Sequence, residues 1–432
     1  MSTHPISTET IDQENDKASS DHEQDLDALT GLLERRGVDI GKIIEESASL
    51  EVAVPSWGFG QGGTRFSRFP IGGEPRDVYE KMVDAAVVNR LTGVTPRVSL
   101  HIPWDKPDDP ARLKTHLKGL GLSFDAVNSN TFQDQPGQEH SYKFGSLSHT
   151  KPSVRDQAVD HNIECIEIGE RLGSKALTVW LADGGSFPGQ IHLRRAFDRT
   201  IDSLGKIYAA LPSDWRLLIE YKPFEPAFYS AVVQDWGASL MIVQALGSQA
   251  ACLVDLGHHL PNCNVELVVA RLIMAEKLGG FHFNDSKFAD DDLSSGSIKP
   301  YQLFLVFNEL VDAMRDASVE KFDPSYMIDQ SHNVKDPIED LTLSAIEIHR
   351  AYTKALLVDR NELEKHQESN DVVMAEWILK QAFETDVSAI LAEVRRLKGA
   401  ALNPLGVYRK SGYRAQKTSE RGTPNETGGG IV

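Results

Sequence analysis

The chain contains 432 residues, of which 41% are hydrophobic and 25% are charged, and this balance excludes both a disordered chain and a fibrous protein. Its 45 Lys and Arg residues against 63 Asp and Glu residues give a formal net charge of −18. Because phosphates would be repelled from such a surface, we expect no nucleic acid partner and no anionic membrane contact. The charge favours a small neutral substrate or a cation.

Cysteine usage and the two ends of the chain indicate the compartment. The three cysteines show no CxxC spacing, which argues against a disulfide framework or a thiolate zinc site. No basic and then apolar leader begins the sequence, and no apolar run approaches the length of a membrane span. We expect a cytoplasmic protein. Residues 1–26 are charged and residues 415–432 end in a glycine-rich tail, so both are predicted to be mobile or held by a partner subunit.

Eight short apolar runs follow one another through the interior of the sequence. Each has the length of a strand, is bounded by turn residues and lacks a clean alternation, which indicates burial on both faces. They cover residues 50–57, 98–104, 123–128, 176–182, 216–221, 252–256, 280–284 and 326–329.

Helical patterns lie between these runs. One begins at a cap signature made by Ser153 and Asp156. The repeated strand and helix predict a parallel (β/α)8 TIM barrel, with a doubly wound sheet as the alternative. We expect an N-terminal arm and helices over 1–48, the catalytic barrel over 49–357, and a C-terminal helical extension with a flexible tail over 358–432. The patterns cover residues 76–91, 153–173, 191–211, 228–246, 265–278, 300–317 and 337–357.

Metal-binding side chains end the last four predicted strands. Because a barrel of this kind builds its site at the carboxyl ends of its strands, these side chains should meet at one point. Three carboxylates that close together require a cation to offset their charge. Carboxylate and imidazole ligands without thiolate favour Mn²⁺, Mg²⁺ or Co²⁺ over a structural zinc. The four residues are Glu220, Asp255, His282 and Asp329.

A second group of ligands is predicted beside the first. His258 follows Asp255 by three residues, and Asp290 and Asp292 lie two apart on the loop after the seventh strand. On an extended segment those two carboxylates point the same way, with Asp291 turned outward. Together with His258 they could hold a second cation, with Asp255 bridging both ions. Alone, an acidic run of this kind is more often a solvated loop.

Aromatic residues end or follow the first four predicted strands, opposite the predicted metal sites. Individually they could be ordinary core, but together they suggest a wall that stacks on the C–H faces of a sugar. His101 ends the second strand among them. Lys222 lies two residues after Glu220 and is either a surface lysine paired with a carboxylate or a group that holds a substrate oxygen. The aromatic residues are Trp57, Trp104, Phe132 and Trp180.

One glycine motif is predicted to have no nucleotide role. Residues 58–63 satisfy GxGxxG after a strand, but a dinucleotide site requires a helix to begin at once. Here the next helical pattern begins near Arg76. We interpret the segment as a long loop over the site or toward a neighbouring subunit.

Several longer motifs closely resemble those of bacterial L-rhamnose isomerases, specifically their broad-specificity branch within the xylose-isomerase-like barrels. The resemblance covers nearly the whole chain and is weakest at its two ends. The motifs are VPSWGFGQGGTRFSRFP, SLHIPWDK, NSNTF, DLGHH, GGFHFNDSK, DDDL and MIDQSHN.

The resemblance implies an aldose–ketose isomerase that interconverts L-rhamnose and L-rhamnulose, accepts other aldoses such as D-allose, and works as a homotetramer with two Mn²⁺ per subunit. It implies a structural metal on Glu220, Asp255, His282 and Asp329. It also implies a catalytic metal on His258, Asp290 and Asp292, with Asp255 bridging. Phe66 on the long loop would enter the site of an adjacent subunit. The sugar would be lined by Trp57, His101, Trp104, Phe132, Trp180 and Lys222.

The mechanism expected from these residues is a 1,2-hydride shift, with Lys222 donating to a substrate oxygen. His101, with or without Asp105, or Asp329 through a water, could open the cyclic sugar, and the sequence does not choose between them. The alternative is a metal-dependent ketose 3-epimerase of the same barrel type. A phosphodiesterase and a non-catalytic sugar-binding protein are less favoured, because of the net charge and the two predicted cation sites.

Overall fold

Eight parallel strands close into a barrel in this computed structural model, which describes residues 6–60, 70–225, 229–320, 322–330 and 334–424. Around the barrel the strands follow the order β1-β10-β9-β8-β5-β4-β3-β2, and β6 and β7 form a separate antiparallel hairpin. The strands are β1 Ala53–Pro55, β2 Arg97–Ile102, β3 Ser123–Ser129, β4 Ala176–Trp180, β5 Arg216–Glu220, β6 Phe224–Glu225, β7 Tyr229–Ser230, β8 Ala250–Asp255, β9 Leu278–Phe283 and β10 Ser325–Ile328.

Helices follow each barrel strand and precede and extend the barrel, so the predicted (β/α)8 barrel with a C-terminal helical extension is confirmed. No helix among these described residues is long and apolar enough to cross a membrane. The helices are α1 Thr8–Glu34, α2 Ile40–Ala48, α3 Val78–Thr92, α4 Pro110–Gly119, α5 Pro152–Leu172, α6 Leu193–Ala209, α7 Trp236–Leu246, α8 Val265–Met274, α9 Pro300–Arg315, α10 Pro337–Leu356, α11 Arg360–Glu368, α12 Val372–Glu384, α13 Ser388–Leu397, α14 Pro404–Ser411 and α15 Tyr413–Arg421.

Two predicted helix starts were wrong. The signature at Ser153 does not cap α5, because the helix begins one residue earlier at Pro152 and Lys151 occupies the N-cap without a side-chain bond. The pattern over 228–246 yields a helix only from Trp236, where the Asp235 carboxylate accepts the Ala238 N–H at 2.8 Å. The hairpin of β6 and β7 lies ahead of this cap, and it brings the loop after β5 back over the end of the barrel.

The N-terminal segment is a helix rather than a mobile arm. From Thr8 onward α1 buries Ile11 and Leu33 against the core, and Ser7 caps its first turn. The Asn15 side chain donates to the Ala400 carbonyl and accepts the Leu402 N–H, at 2.9 and 2.8 Å. The prediction of mobility was wrong here because sparse apolar residues at helical spacing suffice when another part of the same chain covers them.

The C-terminal helices connect the segment after the first barrel strand to the segment after the last one. Arg414 on α15 donates to the carbonyl of Gly73, after β1, at 3.1 Å and to the Asp336 carboxylate, after β10, at 2.6 Å. Strands β1 and β10 close the barrel, and their register contains one residue pair, Ala53 beside Met327. The C-terminal extension therefore adds a connection at the point where the barrel closes. The predicted tail is therefore helical as far as Arg421, and residues 425–432 lie outside the described residues. The division into domains at 48 and 357 stays a prediction.

Close packing of α15 requires glycine in the loop after β1. A Cβ atom on Gly73 would lie 2.7 Å from the backbone nitrogen of Thr418, and the φ of Gly73 is +80°. The Arg421 side chain passes this point and meets the Asp84 carboxylate of α3 at 2.8 Å. Both side chains are buried, with 3% and 1% exposed, and the Tyr413 hydroxyl donates to the same carboxylate at 2.6 Å.

Replacing Arg421 with methionine should lower the free energy of unfolding by about 3–5 kcal/mol, because it leaves the Asp84 carboxylate buried without its cation. Urea denaturation followed by circular dichroism measures this change. Arg409→Met is the matched control, since Arg409 pairs with Glu339 at the surface with 72% of its side chain exposed. The control should leave the urea midpoint unchanged. Equal midpoints for both variants would contradict the assignment of Arg421 as a buried connection.

Candidate metal centre and active site

Four side chains from neighbouring strands converge at the carboxyl end of the barrel. The cross-strand register places Asp255 beside His282, and each of the four residues either ends its strand or directly precedes or follows its end. His282 Nδ1 lies 3.1 Å from Glu220 Oε1 and 3.3 Å from Asp329 Oδ2. One ligand atom from each of the four residues falls within 4.8 Å of the others. The group, Glu220, Asp255, His282 and Asp329, is the one predicted from the strand ends.

A second group shares Asp255 with the first. It contains Asp255, His258 and Asp290, again with one ligand atom of each within 4.8 Å of the others. His258 Nε2 lies 3.2 Å from Asp290 Oδ2, and Lys222 Nζ lies 2.7 Å from that same oxygen. A carboxylate common to two clusters is the arrangement needed to bridge two cations. That these residues are ligands stays a prediction.

Asp292 is not among the residues of the second group whose ligand atoms lie within 4.8 Å of one another. The extended segment expected over 290–292 was wrong, because Asp292 has a φ of +49° and the chain turns there. Asp291 stabilises the turn by accepting the N–H groups of Lys287 and Phe288 at 2.6 and 2.9 Å. Asp292 as a ligand stays a prediction.

The pKa values in the two groups record how strongly the carboxylates interact. Burial raises the pKa of Asp255 to about 7, and the charges of Asp290 and Glu220 add to this rise although His258 opposes it. Burial alone would lower the pKa of His282, but the Glu220 and Asp329 carboxylates raise it to about 10. Asp255 and Asp290 in the same way hold the pKa of His258 well above its ordinary value. The imidazoles thus take up protons to offset the surrounding negative charge.

These donors fit a divalent cation. They consist of carboxylate oxygens and imidazole nitrogens without a thiolate, which is the ligand chemistry of Mn²⁺, Mg²⁺ and Co²⁺. Asp255 is oriented by its neighbours: its carboxylate accepts the Gly257 N–H at 2.7 Å and the Asn284 amide at 2.9 and 3.1 Å. The Trp57 indole N–H donates to Asp329 at 2.9 Å. Metal ligands typically have further hydrogen-bond partners of this kind, which fix the orientation of the ligand side chain.

The predicted aromatic residues form a continuous wall across the site from the carboxylates. The centroid of the His101 ring lies 5.3 Å from that of Trp57, 4.3 Å from that of Trp104 and 5.6 Å from that of Phe132. Phe132 in turn lies 4.6 Å from Trp180. The wall is assembled from the ends of the first four strands, as expected, with Trp57 on a 3-10 turn, Ser56–Phe59, rather than on β1 itself.

Lys222 connects the wall to the carboxylates. Its ammonium lies 4.8 Å from the centre of the Trp180 ring and, as above, contacts Asp290. Its side chain is only 3% exposed, so the alternative of a surface lysine is wrong. The ammonium is held where it can donate a hydrogen bond to a molecule placed between the two halves of the site.

His101 is a neutral imidazole at the centre of the wall. Burial lowers its pKa to about 4, although the charges of Asp105 and Asp329 oppose this. Its Nδ1 is buried and has no hydrogen-bond partner among the described residues. Asp105 accepts the backbone N–H of His101 at 2.9 Å and binds the Lys81 ammonium at 2.6 Å and the Ser56 hydroxyl. This carboxylate therefore holds the backbone of the strand end rather than the imidazole ring.

Two residues that support the site were not found from the sequence, and one predicted site residue cannot be placed. Lys81 gives no signal in the sequence, because it lies within a helix and reaches Asp105 only through the fold. Asp183 lies three residues after the end of β4 and could have been found by extending the strand-end rule by that distance. Phe66 lies outside the described residues. Residues 61–69, which contain the second half of the glycine motif, also lie outside the described residues, so its interpretation as a loop stays a prediction.

Comparisons with known proteins agree with this geometry. A family model described as a xylose isomerase-like TIM barrel matches residues 91–316. The chain is 58% identical over 427 residues to a protein of Rhizobium meliloti (strain 1021) named "Probable sugar isomerase", covering 99% of each chain. It is 56% identical over 432 residues to a protein of the same description from Mesorhizobium japonicum, covering 100% of both. A solved L-ribulose 3-epimerase has the same fold, with a TM-score of 0.53 and 14% identity over 72% of this chain and 98% of that one.

The fold and the paired clusters together define a barrel with a buried site of the kind that binds divalent metals. The chain belongs to the xylose isomerase-like TIM barrel family.

Cation binding to this site should release protons and strengthen as the pH rises. The raised pKa values of His258 and His282 mean that both imidazoles are protonated near neutral pH in the metal-free protein. A divalent ion must displace these protons, so Mn²⁺ binding should release protons and its Kd should fall between about pH 6 and 8. Calorimetry in buffers of different ionisation enthalpy measures both. Binding without proton release and with the same Kd across that range would contradict the two imidazoles as ligands.

Proposed function

We propose that the protein is an aldose–ketose isomerase that interconverts L-rhamnose and L-rhamnulose and accepts other aldoses, including D-allose, which it converts to D-psicose. The observation that carries the proposal is Asp255, shared by two ligand clusters that face an aromatic wall. The names of the two close relatives support a sugar isomerase. The choice of L-rhamnose depends on the sequence motifs.

We assign two Mn²⁺ ions per subunit to the site, with Co²⁺ or Mg²⁺ as substitutes. Asp255 would bind both. When bound, the ions polarise the oxygens at C1 and C2 of the sugar and stabilise the negative charge that develops on them. The first ion would be held by Glu220, Asp255, His282 and Asp329, and the second by Asp255, His258, Asp290 and Asp292.

The remaining residues bind and orient the open-chain sugar. The wall supplies apolar faces for its C–H groups and limits the access of water to the reacting carbons. Lys222 donates to the oxygen at C1 or C2, and its contacts with Trp180 and Asp290 fix the direction of this hydrogen bond. Burial lowers the pKa of His101 to about 4, so its imidazole is neutral at pH 7 and can accept a hydrogen bond from a sugar hydroxyl, which makes it a candidate for the ring-opening step. Asp329 acting through a water is the other candidate for that step.

Hydrogen moves between C1 and C2 as a hydride in this proposal. The C–H bond breaks at one carbon and the same hydrogen, with its electron pair, forms the new C–H bond at the other, while one proton moves between the two oxygens. The wall offers one titratable side chain, His101, and its low pKa makes it a weak base toward a carbon-bound proton. A proton-transfer route through an enediol would need such a base.

We also propose that the active form is a homotetramer in which Phe66 of one subunit reaches the site of the next. The resemblance to the L-rhamnose isomerases is the basis of this assignment. Sedimentation of the wild-type chain and of Phe66→Ala measures whether each assembly is tetrameric. The KM for L-rhamnose of the two proteins then shows whether sugar affinity changes without loss of the assembly.

The main alternative, a ketose 3-epimerase, has the support of a shared fold. The second cluster, with His258 and Asp290, argues against it, because an epimerase of this barrel type typically needs a single metal. The sugars themselves distinguish the two: an isomerase interconverts an aldose and a ketose, whereas the epimerase interconverts two ketoses.

Metal removal should abolish isomerisation, and Mn²⁺ should restore it, because the site without a cation cannot stabilise charge on the two sugar oxygens. Carbon NMR of L-rhamnose, D-allose and D-psicose incubated with the chelator-treated and the Mn²⁺-loaded protein measures this. We expect L-rhamnulose from L-rhamnose only with Mn²⁺. Conversion of ketose to ketose alone, or turnover that is indifferent to the metal, would exclude the proposed function.

Running the reaction in D₂O should leave the product without deuterium at C1 or C2, since a transferred hydride does not exchange with solvent. Proton NMR and mass spectrometry of the isolated ketose measure the isotope content. Deuterium bound to either carbon in most product molecules would overturn the hydride shift and would indicate an enediol, while still being consistent with an isomerase.

A further inference from the structure

A buried carboxylate lies just beyond the aromatic wall and takes no part in the two clusters. Asp183 follows β4 by three residues and is 4% exposed. Its two oxygens each accept the Ser146 N–H at 2.8 Å, and they also accept the Ser146 hydroxyl at 2.8 Å and the Ser148 N–H at 2.9 Å. Both serines belong to the loop after β3. Asp183 therefore joins the loop after β4 to the loop after β3.

The backbone of the same residue joins the loop after β5. The Asp183 carbonyl accepts the Val232 N–H at 2.7 Å, and the next residue, Gly184, forms an antiparallel bridge with Ala231. The neighbouring Val233 carbonyl accepts the Lys222 N–H at 3.0 Å. The hairpin after β5 is thus attached to Asp183 at one side and to the backbone of Lys222 at the other.

Each of the three connected loops places one side chain that the proposed function uses. The Ser146 hydroxyl oxygen also lies 3.2 Å from the hydroxyl oxygen of Thr131, the residue before Phe132, and can accept its hydrogen bond. Trp180 is the last residue of β4, and Lys222 follows β5. The contacts of Phe132 with Trp180 and of Trp180 with Lys222 are contacts between these loops. Their geometry depends on how the loops are held relative to one another.

We propose that Asp183 is a positioning residue for the sugar site: it fixes the loops after β3, β4 and β5 and thereby places Phe132, Trp180 and Lys222 around the substrate. This inference rests on the proposed function for its kinetic consequence. Its structural part, the connection of three loops through one carboxylate, does not depend on which reaction the protein catalyses.

The local chemistry requires a carboxylate at this position. Both oxygens accept hydrogen bonds from backbone N–H groups, and charge strengthens such bonds. An asparagine side chain has one acceptor oxygen, and its NH₂ group would face a backbone N–H that is also a donor. At least one hydrogen bond to the loop after β3 would therefore be lost. Gly145 permits the close approach, since its φ is +104° and a Cβ atom there would lie 3.2 Å from Asp183 Oδ2.

The test compares Asp183→Asn with the matched control Asp134→Asn in the full-length, Mn²⁺-loaded protein. Asp134 lies in the same loop as Ser146 and accepts the Tyr142 N–H at 2.7 Å, but it is exposed and does not join two loops. Ser146→Ala is the second test variant, because it removes one hydroxyl donor and retains the backbone bonds. Three quantities are measured: L-rhamnose kinetics, the Kd for Mn²⁺, and amide hydrogen exchange.

We expect Asp183→Asn to lower kcat/KM by roughly 10- to 100-fold, mainly through KM, because the groups that orient the sugar are displaced. The Kd for Mn²⁺ should change by a smaller factor than KM, since Asp183 hydrogen-bonds to none of the assigned ligands and reaches Asp290 only through Lys222. Exchange should accelerate at residues 146–148 and 231–233. Ser146→Ala should shift KM in the same direction by a smaller factor, and Asp134→Asn should match the wild type in all three.

Unchanged exchange at both segments in Asp183→Asn would overturn the proposal, and so would a KM equal to that of Asp134→Asn. A loss of Mn²⁺ affinity as large as the loss of kcat/KM would also overturn it, because that result indicates general disruption rather than positioning. If Asp183→Asn does not fold, the decision passes to Ser146→Ala, for which wild-type KM and exchange would reject the role. If the wild-type protein converts no sugar, the proposed function fails, while the exchange data still decide whether Asp183 holds the loops.

Discussion

The structure depends on the convergence of buried carboxylates at the carboxyl end of the barrel. Removing such charges from water is costly unless they are paired, and Asp255 shows this cost in a pKa raised to about 7. A divalent cation offsets the charge more effectively than the protonated imidazoles of His258 and His282 can. The neighbouring donors, Asn284 to Asp255 and Trp57 to Asp329, then act to hold the ligands in one arrangement.

The two halves of the barrel have different chemical roles. Strands β5, β8, β9 and β10 contribute the charged groups, whereas the ends of β1 to β4 contribute aromatic rings. Lys222 lies between the halves and contacts both. A sugar has oxygens for one side and C–H faces for the other, so this division suits a polyhydroxylated substrate. The helical extension completes the arrangement by connecting the loops after β1 and β10, where the barrel closes.

Much of this arrangement could be predicted from the sequence, because a parallel barrel places every strand end at the same face. Once eight strand-length runs were recognised, Glu220, Asp255, His282 and Asp329 had to be neighbours. The loop residues were harder. The extended backbone expected over 290–292 was wrong because the turn stabilised by Asp291 has no strand-like register.

Contacts between distant segments could not be predicted at all. Helix α1 is sparsely apolar and is stabilised by residues about 385 positions away, such as Ala400 beside Asn15. Lys81 and Asp105 form a buried pair only because α3 packs on the end of β2. The connections made by Asp183 depend on how three loops fold back over the barrel, and this is set by backbone hydrogen bonds that any sequence can make.

The most direct test is anomalous X-ray diffraction at the manganese absorption edge from crystals grown with Mn²⁺. Two peaks are expected, one among the atoms of Glu220, His282 and Asp329 and one beside His258 and Asp290, with Asp255 between them. Absence of both peaks, or peaks away from these side chains, would contradict the account that the carboxylates converge to bind a pair of cations.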